Sequence, residues 1–192
     1  MNRKNRILFI ADNSVFSKIA YEYVSTFFSA VKGIFWEYGN PHVPFLDEWE
    51  GEWIISFKSD LVLPPRIFKK ASKAAINFHP APPKYRGIGG YFWALHNVDK
   101  MYGVTCHHIV EEIDYGRIIT VRYFPVLEGE TPMTLKMRAG VYCLGLLNEI
   151  LELIIRGKDL PLSGESWKKK LYTHEDLNNL LRHHFKLEKI SL

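Results

Sequence analysis

Residues 74–90 read AAINFHPAPPKYRGIGG. The apolar run Ala74–Phe78 predicts a strand, and it leads into a loop holding Pro80, Pro82, Pro83, Gly87, Gly89 and Gly90, residues that interrupt regular structure. Side chains alternate across a strand, so Asn77 and His79 project from one side at its C-terminal end. That is the edge where open α/β sheets place their ligands.

Upstream, Arg6–Ala11 (RILFIA) reads as a buried strand. Val15, Phe16, Ile19, Tyr23 and Phe27 then recur at helical spacing behind a cap at Asn13 or Ser14. Val31–Tyr38 and Trp53–Phe57 read as the second and third strands, with a proline-bearing loop over Gly39–Gly51 between them. Pro64 and Pro65 open a short helix reaching about Ala71. Downstream, Tyr91–Leu95 reads as a helix whose aromatic residues pack in the core. Strands Tyr102–Val110 and Arg117–Val126 flank a turn at Asp114. Thr131–Arg156 is the longest helix, with Thr131 as cap and Pro132 at its first position. Beyond Pro161, Lys168–Lys170 leads to a short helix with Leu177, Leu180 and Leu181. This alternation predicts an α/β fold in a single domain, with a Rossmann-like, mostly parallel, doubly wound sheet flanked by helices. Residues 1–157 would form the main unit. Residues 158–192 would be a basic C-terminal extension packed on it or used in homodimerisation.

The chain has 192 residues, 47% hydrophobic and 24% charged, with net charge +4, the balance of an ordinary globular protein. That charge is too small to argue for nucleic acid or membrane, and most of it lies after residue 155, where eight Lys/Arg face five Asp/Glu. No apolar run approaches the roughly 18 residues of a membrane span. Cys106 and Cys143 are too few for a disulfide framework and read as buried thiols, which fits a reducing cytoplasm. The first strand–helix turn, ADNSVFSKIA, carries no glycine, which argues against a dinucleotide cradled there. His183-His184 lacks the spacing of a zinc site and reads as solvated, and no metal is expected.

Asn77, His79 and Asp114 supply an amide donor, an imidazole and a carboxylate able to orient it. Acyl transfer needs this equipment: a donor for the oxyanion, a proton carrier with an ordinary pKa near 6.5, and an orienting group. His107 and His108 are adjacent in a strand and face opposite sides; His107 reads as supporting the site and His108 as a surface or satisfied residue.

The runs INFHPAPPKYRG (76–87), WALHN (93–97) and YGVTCHHIVEEIDYGRII (102–119) together resemble the folate-dependent formyltransferase family. That family includes methionyl-tRNA, glycinamide ribonucleotide and amino-sugar N-formyltransferases. The motifs carrying the likeness are Asn77-x-His79, Arg86-Gly87, Gly103-Val104-Thr105-x-His107 and Ile113-Asp114-x-Gly116. The resemblance implies Asn77, His79 and Asp114 as the catalytic triad and 10-formyltetrahydrofolate as formyl donor. It implies a donor site along Asp60, Leu61, Val62 and Leu63 and along Glu111, Glu112 and Ile113. It places an acceptor side at Lys84, Tyr85, Arg86 and Gly87. Two departures stand out: His79-Pro80-Ala81-Pro82-Pro83 replaces the family's His-x-Ser-Leu-Leu-Pro and is one residue shorter, and Asp60 stands where many relatives carry a small residue.

The resemblance favours a small-molecule amine acceptor, a nucleotide-linked amino sugar in surface-polysaccharide synthesis, whose diphosphate Lys84, Arg86 and Lys168–Lys170 would meet. The alternatives are a carrier- or tRNA-bound aminoacyl group, glycinamide ribonucleotide, or a catalytically silent folate- or nucleotide-binding regulator.

Overall fold

The computed structural model describes residues 3–188, with side chains for residues 6–182. His183 and His184 therefore lie outside the described side chains. The elements run β1 (Arg3–Ala11), α1 (Val15–Phe27), β2 (Phe28–Phe35), β3 (Gly51–Phe57), α2 (Pro65–Phe68), β4 (Ala71–His79), β5 (Arg86–Gly87) and α3 (Gly90–His96). They continue with β6 (Met101–His108), β7 (Ile118–Pro125), α4 (Pro132–Ile155), β8 (Leu171–Tyr172) and α5 (His174–Glu188). Six strands form one sheet in the order β2-β1-β3-β4-β6-β7. The pairs from β2 to β4 are parallel, whereas β6 runs antiparallel to both β4 and β7. This is the mostly parallel α/β sheet that the alternation of elements predicts.

Each face of the sheet is covered differently. On one, α1 and α4 bury Ala20, Val24, Leu135, Ala139, Leu146, Leu147 and Ile150 against Phe9, Phe57, Phe78 and Val104. The opposite face buries Leu8, Ile10, Ile54 and Ala75 beneath Leu46, Trp49, Leu63 and Ile67, which come from the β2–β3 loop, the β3–α2 segment and α2. Cys106 and Cys143 are free and buried. Local chemistry fixes the helix starts. Ser14 caps α1 by accepting from Ser17 N, and Thr131 and Thr134 form a reciprocal capping box with Pro132 at the first position of α4.

Several boundaries differ from the pattern reading, among them the start of β1 at Arg3, the end of β2 at Phe35 and the start of β4 at Ala71. The second strand begins at Phe28 rather than Val31, because α1 passes into it with no loop: Phe28 is extended and fully buried. The short helix after Pro64 ends at Phe68, since Ala71 already pairs with Gly51 in the sheet. A small ladder was not legible in the pattern: β5 pairs with β8, Arg86 beside Leu171 and Gly87 beside Tyr172. It draws the residues after Pro161 back over the loop that follows β4. Ser163 N donates to Ile118 O at 3.0 Å, Lys168 N to Pro83 O at 3.0 Å and Ile88 N to Tyr172 O at 2.9 Å. Gly87 sits at φ +83°, and a Cβ there would stand 2.3 Å from Tyr172 O, so this crossing requires glycine.

Candidate active site

A cavity of about 620 Å³ opens at the end of β4. Asn77 and His79 reach its wall from β4, Asp114 from the turn after β6, and His107 from β6, where it is paired directly opposite Asn77. Asp114 is the hub. Its Oδ2 accepts from Gly87 N at 2.9 Å and lies 3.3 Å from His79 Nδ1. Its Oδ1 accepts from Asn77 Nδ2 at 3.3 Å and lies 3.3 Å from His107 Nε2. Burial opposes ionisation of this carboxyl. The two imidazoles, His79 first, and the Gly87 N–H more than offset that cost and hold Asp114 well below the usual carboxylate range.

The rings are oriented by backbone carbonyls. His107 Nδ1 donates to His108 O at 2.9 Å, leaving Nε2 to face the Asn77 amide at 3.1 Å. His79 Nε2 donates to Tyr85 O at 2.7 Å, so both of its nitrogens face acceptors. His79 and His107 are buried, while the Asn77 amide oxygen is buried without a hydrogen-bond partner. Asp114 itself has φ 45°, a left-handed conformation that Asp tolerates better than most residues. Gly116 lets this turn close, because a Cβ there would stand 1.8 Å from His108 O.

Asp60, Leu61, Val62 and Leu63 follow β3, Glu111, Glu112 and Ile113 follow β6, and all seven line the cavity. β3 and β6 are the two neighbours of β4, so these segments flank the triad. Val62 and Ile113 leave 60% and 41% of their surface exposed there, an apolar lining open to a flat ligand. Burial and the nearby Asp12 carboxylate push Asp60 above its ordinary value, although His174, a Tyr38 backbone group and Lys136 act the other way.

The acceptor-side residues are placed unevenly. Gly87 lines the cavity, but Lys84, Tyr85 and Arg86 do not. Lys84 pairs with Asp99 at 2.6 Å, and the Tyr85 hydroxyl donates to Asp99 at 2.6 Å. Arg86 is buried, and its guanidinium donates to Asp114 O, Ile113 O and Lys169 O at 2.9–3.0 Å. Arg86 therefore braces the turn that carries the hub carboxylate. Lys170 pairs with Asp176 at 3.4 Å.

Pattern reading missed two parts of the site. One is the tail: Leu171, Tyr172, Thr173, His174 and Leu177 all line the cavity. The other is Lys58, whose side chain is 3% exposed and pairs with Asp12 at 2.7 Å. Asp12 also accepts from Ser14 N and from the Ser14 and Ser17 hydroxyls, at the start of α1. The charged pattern ADNS…SFK held the signal, but nothing local joins Asp12 to Lys58. Among the described residues, no group of three or more His, Cys, Asp or Glu is arranged to hold a metal, and no helix is long and apolar enough to cross a membrane.

A family profile described as formyl transferase matches residues 41–141. The chain is 29% identical over 117 residues to the bifunctional polymyxin resistance protein ArnA of Wigglesworthia glossinidia brevipalpis, covering 60% of this chain and 18% of that one. It is 31% identical over 120 residues to methionyl-tRNA formyltransferase of Lactobacillus johnsonii, with coverages of 62% and 38%. It is 29% identical over 104 residues to GDP-perosamine N-formyltransferase of Brucella melitensis, with coverages of 54% and 40%. The chain thus spans less than half the length of each of these curated relatives.

Two solved structures show the same fold. An N-formyltransferase from Helicobacter canadensis, in complex with folinic acid and dTDP-3-aminofucose, aligns with TM-score 0.72 at 18% identity over 90% of this chain and 72% of its own. HypX from Aquifex aeolicus, in complex with tetrahydrofolic acid, aligns with TM-score 0.73 at 22% identity over 91% and 31%. The profile spans more than half of the chain and includes Asn77, His79, Arg86, His107 and Asp114, and the chain belongs to the formyl transferase family.

Proposed function

We propose that this chain is an N-formyltransferase that moves a formyl group from 10-formyltetrahydrofolate to a primary amine, the amino group of a nucleotide-linked sugar. The observation that carries this reading is the convergence of Asn77, His79 and Asp114 on one cavity flanked by the 60–63 and 109–113 segments. Its volume lies within the usual range for small-molecule sites. The exposed apolar side chains Val62 and Ile113 suit a flat heterocycle. When bound, the folate supplies a formyl carbon for acyl transfer to nitrogen.

Asn77 stabilises the oxyanion. Its 3.3 Å contact to Asp114 is the longer of its two and is the one exchanged for the substrate oxygen. The attacking amine sheds one proton and the departing nitrogen gains one. The His79–Asp114 couple carries that exchange, His79 releasing Tyr85 O to reach the substrate. Asp114 holds both imidazoles in register, and Arg86 and Gly87 hold Asp114. Residues 1–157 are the catalytic unit in this reading, and residues 158–192 contribute a cavity wall.

The sugar acceptor is supported by the Brucella relative and by the Helicobacter complex. The methionyl-tRNA relative keeps an aminoacyl acceptor in view. Purified protein with 10-formyltetrahydrofolate and a panel of nucleotide-linked amino sugars should release tetrahydrofolate and add a formyl mass to one acceptor. Formylation of an aminoacyl acceptor alone would replace the sugar, and binding of folate without transfer to any amine would replace the enzyme with a binding protein.

A further inference from the structure

Trp167 is the half-buried member of an exposed run, with Gly164–Ser166 before it and Lys168–Lys170 after it. Its indole stands edge-on to His107, with ring centroids 4.9 Å apart and planes at 85°. The same indole meets His79 at 6.1 Å and 62°. Its Nε1 donates to Gly116 O at 2.7 Å, in the turn that carries Asp114. One side chain thus touches both imidazoles and ties the hub carboxylate's turn, yet it does not line the cavity. Its contacts are to the catalytic groups themselves, His79, His107 and the Asp114 turn.

The backbone around it is fixed on both sides. Lys168 N donates to Pro83 O, in the loop after His79, and Lys169 O accepts from Arg86, the residue that braces Asp114. A surface loop needs none of this. An indole held at three points against two rings that contact one carboxylate, each at 3.3 Å, sets where those rings stand.

We propose that Trp167 is a positioning residue for formyl transfer, locking the His79 and His107 rings and the Asp114 turn in the arrangement the reaction uses. This rests on the formyl-transfer reading above. His107 Nδ1 donates to a carbonyl and its Nε2 faces the Asn77 amide, so a single tautomer serves the site. A ring free to rotate would lose both contacts.

The test compares wild type, Trp167→Phe and Trp167→Leu by steady-state kinetics, urea unfolding and nitrogen NMR of the histidine rings. Trp167→Leu should lose about 100-fold in kcat, with KM for donor and acceptor within about threefold, because misplaced catalytic groups cost rate rather than binding. Its His107 ring signals should change from one tautomer to a mixture. Trp167→Phe keeps a ring against both imidazoles but loses the bond to Gly116, and should fall about tenfold.

Unchanged ring signals with kcat within about threefold of wild type in Trp167→Leu would overturn the proposal. Should that variant not fold, the same result in Trp167→Phe overturns it. If wild type formylates no amine while the ring signals still change in the variants, the positioning stands and the formyl-transfer reading fails.

Discussion

Asp114→Asn is the sharpest perturbation of this site, because it keeps shape and removes charge. The carboxylate is approached by Gly87 N at 2.9 Å and His79 Nδ1 at 3.3 Å on one oxygen, and by Asn77 Nδ2 and His107 Nε2, each at 3.3 Å, on the other. An asparagine keeps one acceptor oxygen. Turned toward Gly87 and His79, that oxygen satisfies both, while the new NH2 faces His107 Nε2, which can accept, and Asn77 Nδ2, which cannot. One buried donor is left unmatched, at about 1–3 kcal/mol. Typical domains unfold with about 5–15 kcal/mol, so the variant should remain folded. Catalysis is hit harder. The His79 ring loses the negative partner that orients it, and loss of proton transfer by a positioned couple typically costs about 10²–10⁴-fold. Tetrahydrofolate release at neutral pH, with urea unfolding as the fold control, reads both effects. A variant that unfolds 1–3 kcal/mol early yet transfers formyl groups within about threefold of wild type would refute Asp114 as the hub.

Asn77→Ala should lose about 3–4 kcal/mol of transition-state stabilisation, roughly 100- to 1000-fold in kcat. It should also destabilise the fold by about 1–3 kcal/mol, because the Nδ2 contacts to Asp114 and His107 are lost while the amide oxygen has no partner to lose; unchanged urea unfolding would contradict that. Lys58→Met should destabilise by about 3–5 kcal/mol, since it leaves Asp12 without its buried counter-ion, and adding Asp12→Leu should recover part of the loss; an additive double variant would rule the pair out. Burial opposes ionisation of Asp12, but Lys58 and the Ser14 and Ser17 hydrogen bonds hold its carboxyl below the ordinary value, as the imidazoles do for Asp114. Each therefore contributes stability that is fully present above the unfolded-state value of about 3.9 and is lost as pH falls through the folded value. Acid titration of stability should show a shallower loss in Asp12→Asn and Asp114→Asn than in wild type, and identical acid limbs would refute both assignments.

The sheet was legible because its strands are apolar runs of ordinary length and the helices α1 and α4 carry clear caps. Ser14, Thr131 and Pro132 all stand where the capping rules place them. The pairing of Asn77 with His79 followed from strand alternation alone. What stayed hidden was non-local. β5 and β8 are two residues each, too short for periodicity to register. Arg86 and Lys84 read as acceptor-side cations because composition does not reveal that one is buried under three carbonyls and the other paired with Asp99. Trp167 sits in a polar run whose neighbours are exposed, and only the fold brings it to His107.

The β5–β8 crossing also sets an order of events. Arg86 and Lys169 are joined across 83 residues, whereas the six strands of the main sheet can pair as they are made. Chains fold from the N-terminal side during synthesis, at about 5–20 residues per second. The central sheet, with Asn77, His79 and Asp114 already close, can therefore form seconds before residues 163–177 arrive to finish the cavity. A nascent chain in that interval holds its catalytic groups without the wall that encloses them, and competence arrives late, as the last long-range closure of the fold.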